Sequence, residues 1–225
     1  MATATAMEER PMSTEARDLL LLLNWMSPTF PIGSFAYSHG LETEIASAVL
    51  KDQQEIETWI ADIITSGSGW NDAILFAGCW DGERDGLNAL ALALAGSAER
   101  YRETTDLGRN FQLASAVWTG QTPGEGDVAY PVVAGTACAR LGLALEPALM
   151  AYLQGFCAAL VSVAVRLVPL GQTQGLIILR NLSPRIIATA ARAAKASLDD
   201  LGGNCLAAEM AAMAHEALEP RVFRT

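Results

Sequence analysis

No charged residue interrupts the chain between Pro147 and Val165. A stretch so long and so apolar has two destinations. It crosses a bilayer, or it becomes the central helix of a folded domain, covered by neighbours. Tyr152, Gln154, Gly155, Cys157 and Ser162 fall inside it, Glu146 precedes it and Arg166 follows. Rich in alanine and broken by polar groups, it reads as a buried central helix with no membrane role. The rest of the chain must then supply the helices that cover it.

The composition agrees. Hydrophobic residues make up 51% of the 225 and charged residues only 18%. That predicts a helical protein with much apolar surface hidden, in part between subunits. The net charge of −10 repels phosphate backbones, so nucleic acid is not an expected partner. Cys79, Cys138, Cys157 and Cys205 are far apart with no C-x-x-C pair, which reads as reduced, buried thiols in a cytoplasmic protein. Glu8, Glu9, Glu15 and Asp18 precede the first apolar run, a pattern unlike a secretory signal.

Along the chain, residues 1–15 are small, polar and charged, and are expected to be disordered. Helical character starts at Ala16. The segment Ser27-Pro28-Thr29-Phe30-Pro31-Ile32-Gly33 cannot be regular helix, because each proline disfavours helix at the residue before it. Ser34 or Ser38 starts the next helix, through Leu41 and Ile45. Asp52 and Glu55 form a capping box for a helix with Ile56, Trp59, Ile60, Ile63 and Ile64 on one face. Helices over about 71–80 and 87–94 follow. Ser97 caps a longer one, with Leu107, Phe111, Ala114 and Trp118 as its apolar face and Glu99, Arg100, Arg102, Glu103 and Asp106 as a charged one. The loop Gly120–Asp127 precedes helices over about 132–141, 147–167 and 184–201. The spacing of Ile187, Ala190, Ala194, Leu198 and Leu201 predicts the buried face of that last one, and Leu206, Met210, Met213 and Ala217 mark a final helix. The expected fold is all-α: a single-domain bundle of roughly nine to ten helices over 16–218, a flexible N-terminus, and a tail at 219–225.

Catalytic chemistry is hard to place. His39 and His215 are the only histidines. There is no H-E-x-x-H, no P-loop and no G-x-S-x-G. The run Glu99–Glu103 reads as a solvated or inter-helix ion network. No catalytic residue, cofactor site or metal site is expected.

What stands out is three non-helical segments. Residues 27–42 present Phe30, Phe35 and Tyr37 beside His39 and Glu42. Residues 167–172 break the chain after the long apolar helix. The chain closes on His215-Glu216-Ala217-Leu218-Glu219-Pro220-Arg221-Val222-Phe223-Arg224-Thr225. Two arginines bracketing an aromatic ring have the composition of an interface anchor, and Pro220 should send the tail away from the body as an extended segment.

In this order the segments resemble the urease accessory protein F family. SPTFPIGSFAYSHGLE (Ser27–Glu42) is similar to its N-terminal signature, and SAERYRETTDLGRNF (Ser97–Phe111) to its Glu-x-x-x-Glu and Gly-Arg segment. Tyr130-Pro131, RLVPLGQTQG (Arg166–Gly175) and the closing HEALEPRVFRT complete the set. Val222 stands where leucine is usual, Thr225 where serine is, and Glu219-Pro220 is less typical. The resemblance implies a homodimer without catalytic activity. It would bridge the accessory protein called D or H, the GTPase accessory protein G, and apo-urease, driving nickel into the urease active site at the expense of GTP hydrolysis. It implies that the tail orders on the D/H protein and that Arg221 and Phe35 help form the surface recruiting the GTPase. Tyr37, His39, Glu42, Phe223 and Arg224 are further partner-binding candidates. Two other readings stand beside this one: a regulator that activates or gates the partner GTPase, and an all-α protein that binds an apolar ligand.

Overall fold

The computed structural model describes residues 14–82, 84–203 and 205–224. Among these the chain is all-α, with ten α-helices, two 3-10 turns and no strand. The helices are α1 (Thr14–Trp25), α2 (Leu41–Ala46), α3 (Gln53–Ser66), α4 (Ser68–Gly78) and α5 (Arg84–Ala93). There follow α6 (Ala98–Thr119), α7 (Tyr130–Arg140), α8 (Leu145–Leu167), α9 (Gln172–Ala193) and α10 (Leu206–His215). The expectation of disorder over 1–15 falls mostly outside the described residues, as does Thr225, while Thr14 and Glu15 already belong to α1.

The uncharged stretch is α8, and it organises the rest. α9 lies along it, α4 and α2 pack across it, and α3 covers α9. Its long run of apolar side chains gives it the length and hydropathy of a membrane span, with half of its most apolar window buried. Leu149, Leu153, Cys157, Leu160 and Ala164 face inward. The expectation of burial on nearly all sides is therefore corrected, because α9, α4 and α2 cover one face and the other is only partly shielded.

A chain of aromatic rings ties the layers together. Trp25 meets Phe111 edge-on at 5.4 Å, Phe111 meets Tyr130 at 5.7 Å, Tyr130 meets Tyr152 at 5.3 Å, and Tyr152 meets Phe76 at 5.0 Å. These five rings come from α1, α6, α7, α8 and α4, so one continuous core serves most of the molecule. Gly108 is needed where α6 crosses the approach to α7: a Cβ there would sit 2.0 Å from the Val128 carbonyl oxygen.

Helix starts follow the expected chemistry. The Asp52 carboxylate accepts from the Gln54 and Glu55 amides, and Ser97 Oγ accepts from the Arg100 amide. Glu55 reaches back to the Lys51 amide rather than to Asp52, so the box is one residue wider than expected.

Three expectations about faces are corrected. The helix expected to begin at Pro184 begins at Gln172, with Pro184 inside it. Proline removes one amide donor and crowds the carbonyl four residues back, which belongs to Arg180. Both residues are exposed, so water can take the freed carbonyl. Second, the buried row of α9 is Ile178, Leu182, Ile186, Ala190 and Ala193, and Ile187 points outward. Third, Leu206, Met210 and Met213 of α10 are exposed while Ala208, Ala211, Ala212 and His215 are buried. α10 lies close against α2, and only alanines fit that approach.

Candidate partner-docking site

The segment 27–42 folds as a series of tight turns. Phe30 and Ile32 plug the core beside Phe111, and Gly33, at φ 84°, opens a 3-10 turn over Ser34–Ala36. That turn leaves Phe35 outside, 55% exposed. Tyr37 goes inside, where its hydroxyl donates to Asp106 Oδ2 at 2.9 Å. Burial and the Asp106 carboxylate push this phenol up to about 12.

His39 and Gly40 both have positive φ, 57° and 78°. Gly40 is the position where only glycine fits, because a Cβ would meet the Ala212 amide nitrogen of α10 at 2.8 Å. The two left-handed residues swing α2 so that Glu42, in its first turn, points beneath the tail.

The tail does not leave the body. After α10, Glu216 turns back to accept the Ala98 amide at α6. Residues 221–224 then lie across α2 and α6. The Glu42 carboxylate accepts the Val222 amide at 2.7 Å on one oxygen and the Phe223 amide at 2.9 Å on the other. Arg221 Nη1 donates to Glu99 Oε1 at 2.6 Å, and the Arg224 amide donates to the Ala36 carbonyl at 2.8 Å. Phe223 is 5% exposed. Burying that ring contributes on the order of 1.5–3 kcal/mol, and two amides on one carboxylate add charge-assisted bonds. Those gains explain why the expected extended segment folds back.

His215 joins the two acids. Its Nδ1 lies 2.7 Å from Glu99 Oε2 and its Nε2 3.0 Å from Glu42 Oε2. Both contacts are donations when the ring carries a proton on each nitrogen. Glu42, Glu99 and His215 are all buried, so this trio fixes the seat under the tail.

A second buried network lies next to it. Arg100 Nη1 pairs with Glu103 Oε2 at 2.7 Å, and His39 Nδ1 lies 3.5 Å from Glu103 Oε1. Burial alone would push the Glu103 carboxyl up, but Arg100 and His39 outweigh it and hold it at about 2. Nearby Asp72, accepting from the Tyr152 hydroxyl at 3.1 Å, is shifted the other way, because there burial outweighs Arg100. His39 Nε2 also lies 2.5 Å from Ser68 Oγ. Ser–His–Glu is the connectivity of a nucleophilic triad. Here the space beside Ser68 is about 30 Å³, room for about two waters. In this conformation the three side chains tie the 37–42 turn to α4 and α6.

Of the seven partner-binding candidates, Phe35, Arg221 and Arg224 reach solvent; Phe35 and Arg224 are brought together where the Arg224 amide meets the Ala36 carbonyl, while Arg221 sits at Glu99, about two turns of α6 from the Asp106 that Arg224 pairs with. Tyr37, His39, Glu42 and Phe223 are buried and shape that surface from below. Sequence reasoning missed Glu99, Asp106 and His215 as parts of it. The signal was present in α6: Glu99 and Glu103 lie eight and four residues before Leu107, on the same helical row as Phe111. The acids at 99 and 103 are therefore buried, not solvated, while Arg102 and Tyr101 face out. Among the described residues, no group of three or more His, Cys, Asp and Glu is arranged to hold a metal ion.

A family model described as UreF matches residues 50–183. The chain is similar to the urease accessory protein UreF of Mesorhizobium japonicum, 41% identical over 216 residues, covering 92% of this chain and 96% of that protein. It is similar to the protein of the same name from Roseobacter denitrificans, 44% identical over 218 residues, covering 95% and 96%. With that from Cereibacter sphaeroides it is 47% identical over 208 residues, covering 92% and 98%.

Proposed function

Because this chain belongs to the UreF family of urease accessory proteins and has a role in urease maturation, we propose that it acts as a scaffold in a nickel-loading assembly. In this reading it joins the D/H accessory protein and the GTPase accessory protein to apo-urease, and GTP hydrolysis drives nickel, as cargo, into the urease active site. The chain works as a cytoplasmic homodimer and makes or breaks no bond itself.

The observation that carries the reading is the composite surface at the tail. Phe35 projects from a 3-10 turn, Arg224 is tied to that turn through the Ala36 carbonyl, and the buried Glu42–Glu99–His215 seat holds Arg221 and the tail backbone. Aromatic and arginine side chains on a pre-ordered backbone supply most hot-spot energy, and order already present lowers the entropic cost of binding. The half-shielded outer side of α8 and the leucines exposed on α1 beside it supply apolar area for the homodimer.

The test is co-purification with the D/H and GTPase accessory proteins. Phe35→Ala and Arg221→Ala should each weaken the complex by about 2 kcal/mol, roughly thirtyfold in Kd. Deleting 216–225 should abolish it. Unchanged complex formation by the truncated chain would overturn the reading. GTP turnover measured in the same preparations separates a scaffold from a regulator of the GTPase.

A further inference from the structure

His215 stands between two acids, and each of them holds the tail. Glu42 Oε1 accepts the Val222 amide, and Glu42 Oε2 accepts the Phe223 amide and faces His215 Nε2 at 3.0 Å. Glu99 Oε1 accepts from Arg221, and Glu99 Oε2 faces His215 Nδ1 at 2.7 Å. Each of the two ring contacts needs a proton between nitrogen and oxygen. A neutral ring between two carboxylates brings only one. The second proton belongs to the trio, whichever atom carries it.

The charges close in the same way. With that proton, two carboxylates face a histidinium and the Arg221 guanidinium, and the set is neutral. The ring has no exposed surface, so a missing N–H cannot be replaced from solvent while the tail is down. The other charged groups around α10 are directed elsewhere. Glu216 accepts the Ala98 amide, Arg100 pairs with Glu103, and Glu103 also faces His39. Glu209, earlier on α10, acts on Arg100. Glu219 is exposed, and Glu44, two residues after Glu42, points to another side of α2.

We infer that the tail is a proton-operated clasp, shut while the Glu42–His215–Glu99 trio holds its extra proton and open once that proton leaves. Its loss sets a ring lone pair against a carboxylate oxygen and leaves a net negative charge buried. Such a charge is costly until water reaches it. Relief requires Glu42 or Glu99 to move out, and these are the groups that hold Val222, Phe223 and Arg221. The sign follows: the closed tail is favoured at low pH and lost as pH rises. Because Phe35 and Arg224 are brought together only by the seated tail, the clasp regulates the docking surface proposed above and rests on that reading for its role.

The test places 4-fluorophenylalanine at position 223 of the full chain and follows its fluorine NMR signal, which separates a buried ring from one in water. From about pH 5.5 to about pH 8.5, a range in which histidines ordinarily change charge, the ratio of seated to free tail should fall roughly tenfold or more. His215→Gln should leave the tail mostly free, with no such fall. Glu99→Gln is the discriminating variant. Its amide oxygen accepts from Arg221, its amide N–H donates to Nδ1, and a neutral ring donates from Nε2 to Glu42, so every group is satisfied without the extra proton. The tail of this variant should stay seated at alkaline pH, where the wild type has opened. A fall that persists in Glu99→Gln would assign the response to His39 or another group and overturn the inference, as would a constant ratio in the wild type. Thermal melts establish that the variants are folded, and the wild-type titration decides by itself if one is not. Affinity for the D/H and GTPase accessory proteins, measured on the same samples, keeps the two readings apart: binding that stays constant while the tail opens would count against the docking surface and leave the clasp standing.

Discussion

Glu103 shows how one carboxylate decides the state of its surroundings. It neutralises Arg100 deep in the fold, and Arg100 in turn holds it at about 2 against the pull of burial. Replacing it by glutamine takes from the guanidinium its closest counter-charge and leaves Asp72 and Glu209 further off, and breaking such a buried pair costs about 3 kcal/mol. Glu103→Gln should therefore shift the midpoint of urea denaturation downward at pH 7. The pH dependence has a definite sign. A carboxyl lowered on folding contributes stability that is fully present above its ordinary value of 4.5 and is lost as pH falls toward about 2. The gap between wild type and variant should narrow across that window. Asp72 is raised on folding in part by Glu103, so its upward shift shrinks in the variant and it works against that narrowing. A constant gap from pH 7 to pH 3 would mean that the pair does not set the acid limb.

At the scale of elements, the tail and α9 are each held by a few identifiable contacts. Glu42→Gln keeps the shape of the tail seat but turns one acceptor into a donor facing an amide or His215. Charge-assisted bonds of this kind contribute about 1.5–3 kcal/mol. Amide exchange at Val222 and Phe223 should accelerate at least tenfold, with the core of α8 unchanged. In α9, Pro184→Ala restores a donor for the Arg180 carbonyl and removes a ring from an exposed helix interior. Because proline there costs up to about 3 kcal/mol, the variant should be more stable by about 1–3 kcal/mol in chemical denaturation. These two elements also mark the limits of the sequence. Capping at Asp52 and Ser97 and the isoleucine row of α3 were legible, since they depend on local chemistry. Pro184 inside a helix was not, because its cost is absorbed by exposure that only the tertiary structure sets. The outward methionines of α10 were misassigned for a related reason: close packing on Gly40 selected alanine for the inside. The folded-back tail depends on Glu42, 180 residues from Val222, a contact no local pattern announces.

On the scale of the whole molecule, the apolar surface is too unevenly spread for a chain that works alone. Leu19, Leu20 and Leu23 stand exposed on α1, which packs beside α8. The outer side of α8 is only partly covered, so the two helices form one apolar face continuous with the core. Contiguous exposed patches of this kind mark association sites. The tail site, around Phe35 and Arg224, meets α8 near its C-terminal end, where Arg166 donates to the Phe35 carbonyl, so a dimer through α1 and the rest of α8 would leave two copies of that site rigidly related by a twofold axis. Leu19→Asp with Leu23→Asp puts two charges into the centre of that face without touching Leu21, Leu22 or Trp25, which hold α1 to the core. Light scattering should then report a monomer where the wild type is a dimer, with the helical circular dichroism signal retained. Because each protomer keeps its own tail seat, the monomer should still bind the D/H accessory protein with little loss. It should lose affinity for any partner that contacts both protomers, and that loss would identify the surface assembled only in the dimer. A wild type that is monomeric at micromolar concentration, or a variant that remains dimeric, would remove α1 and α8 from consideration and require another face to bring the copies together.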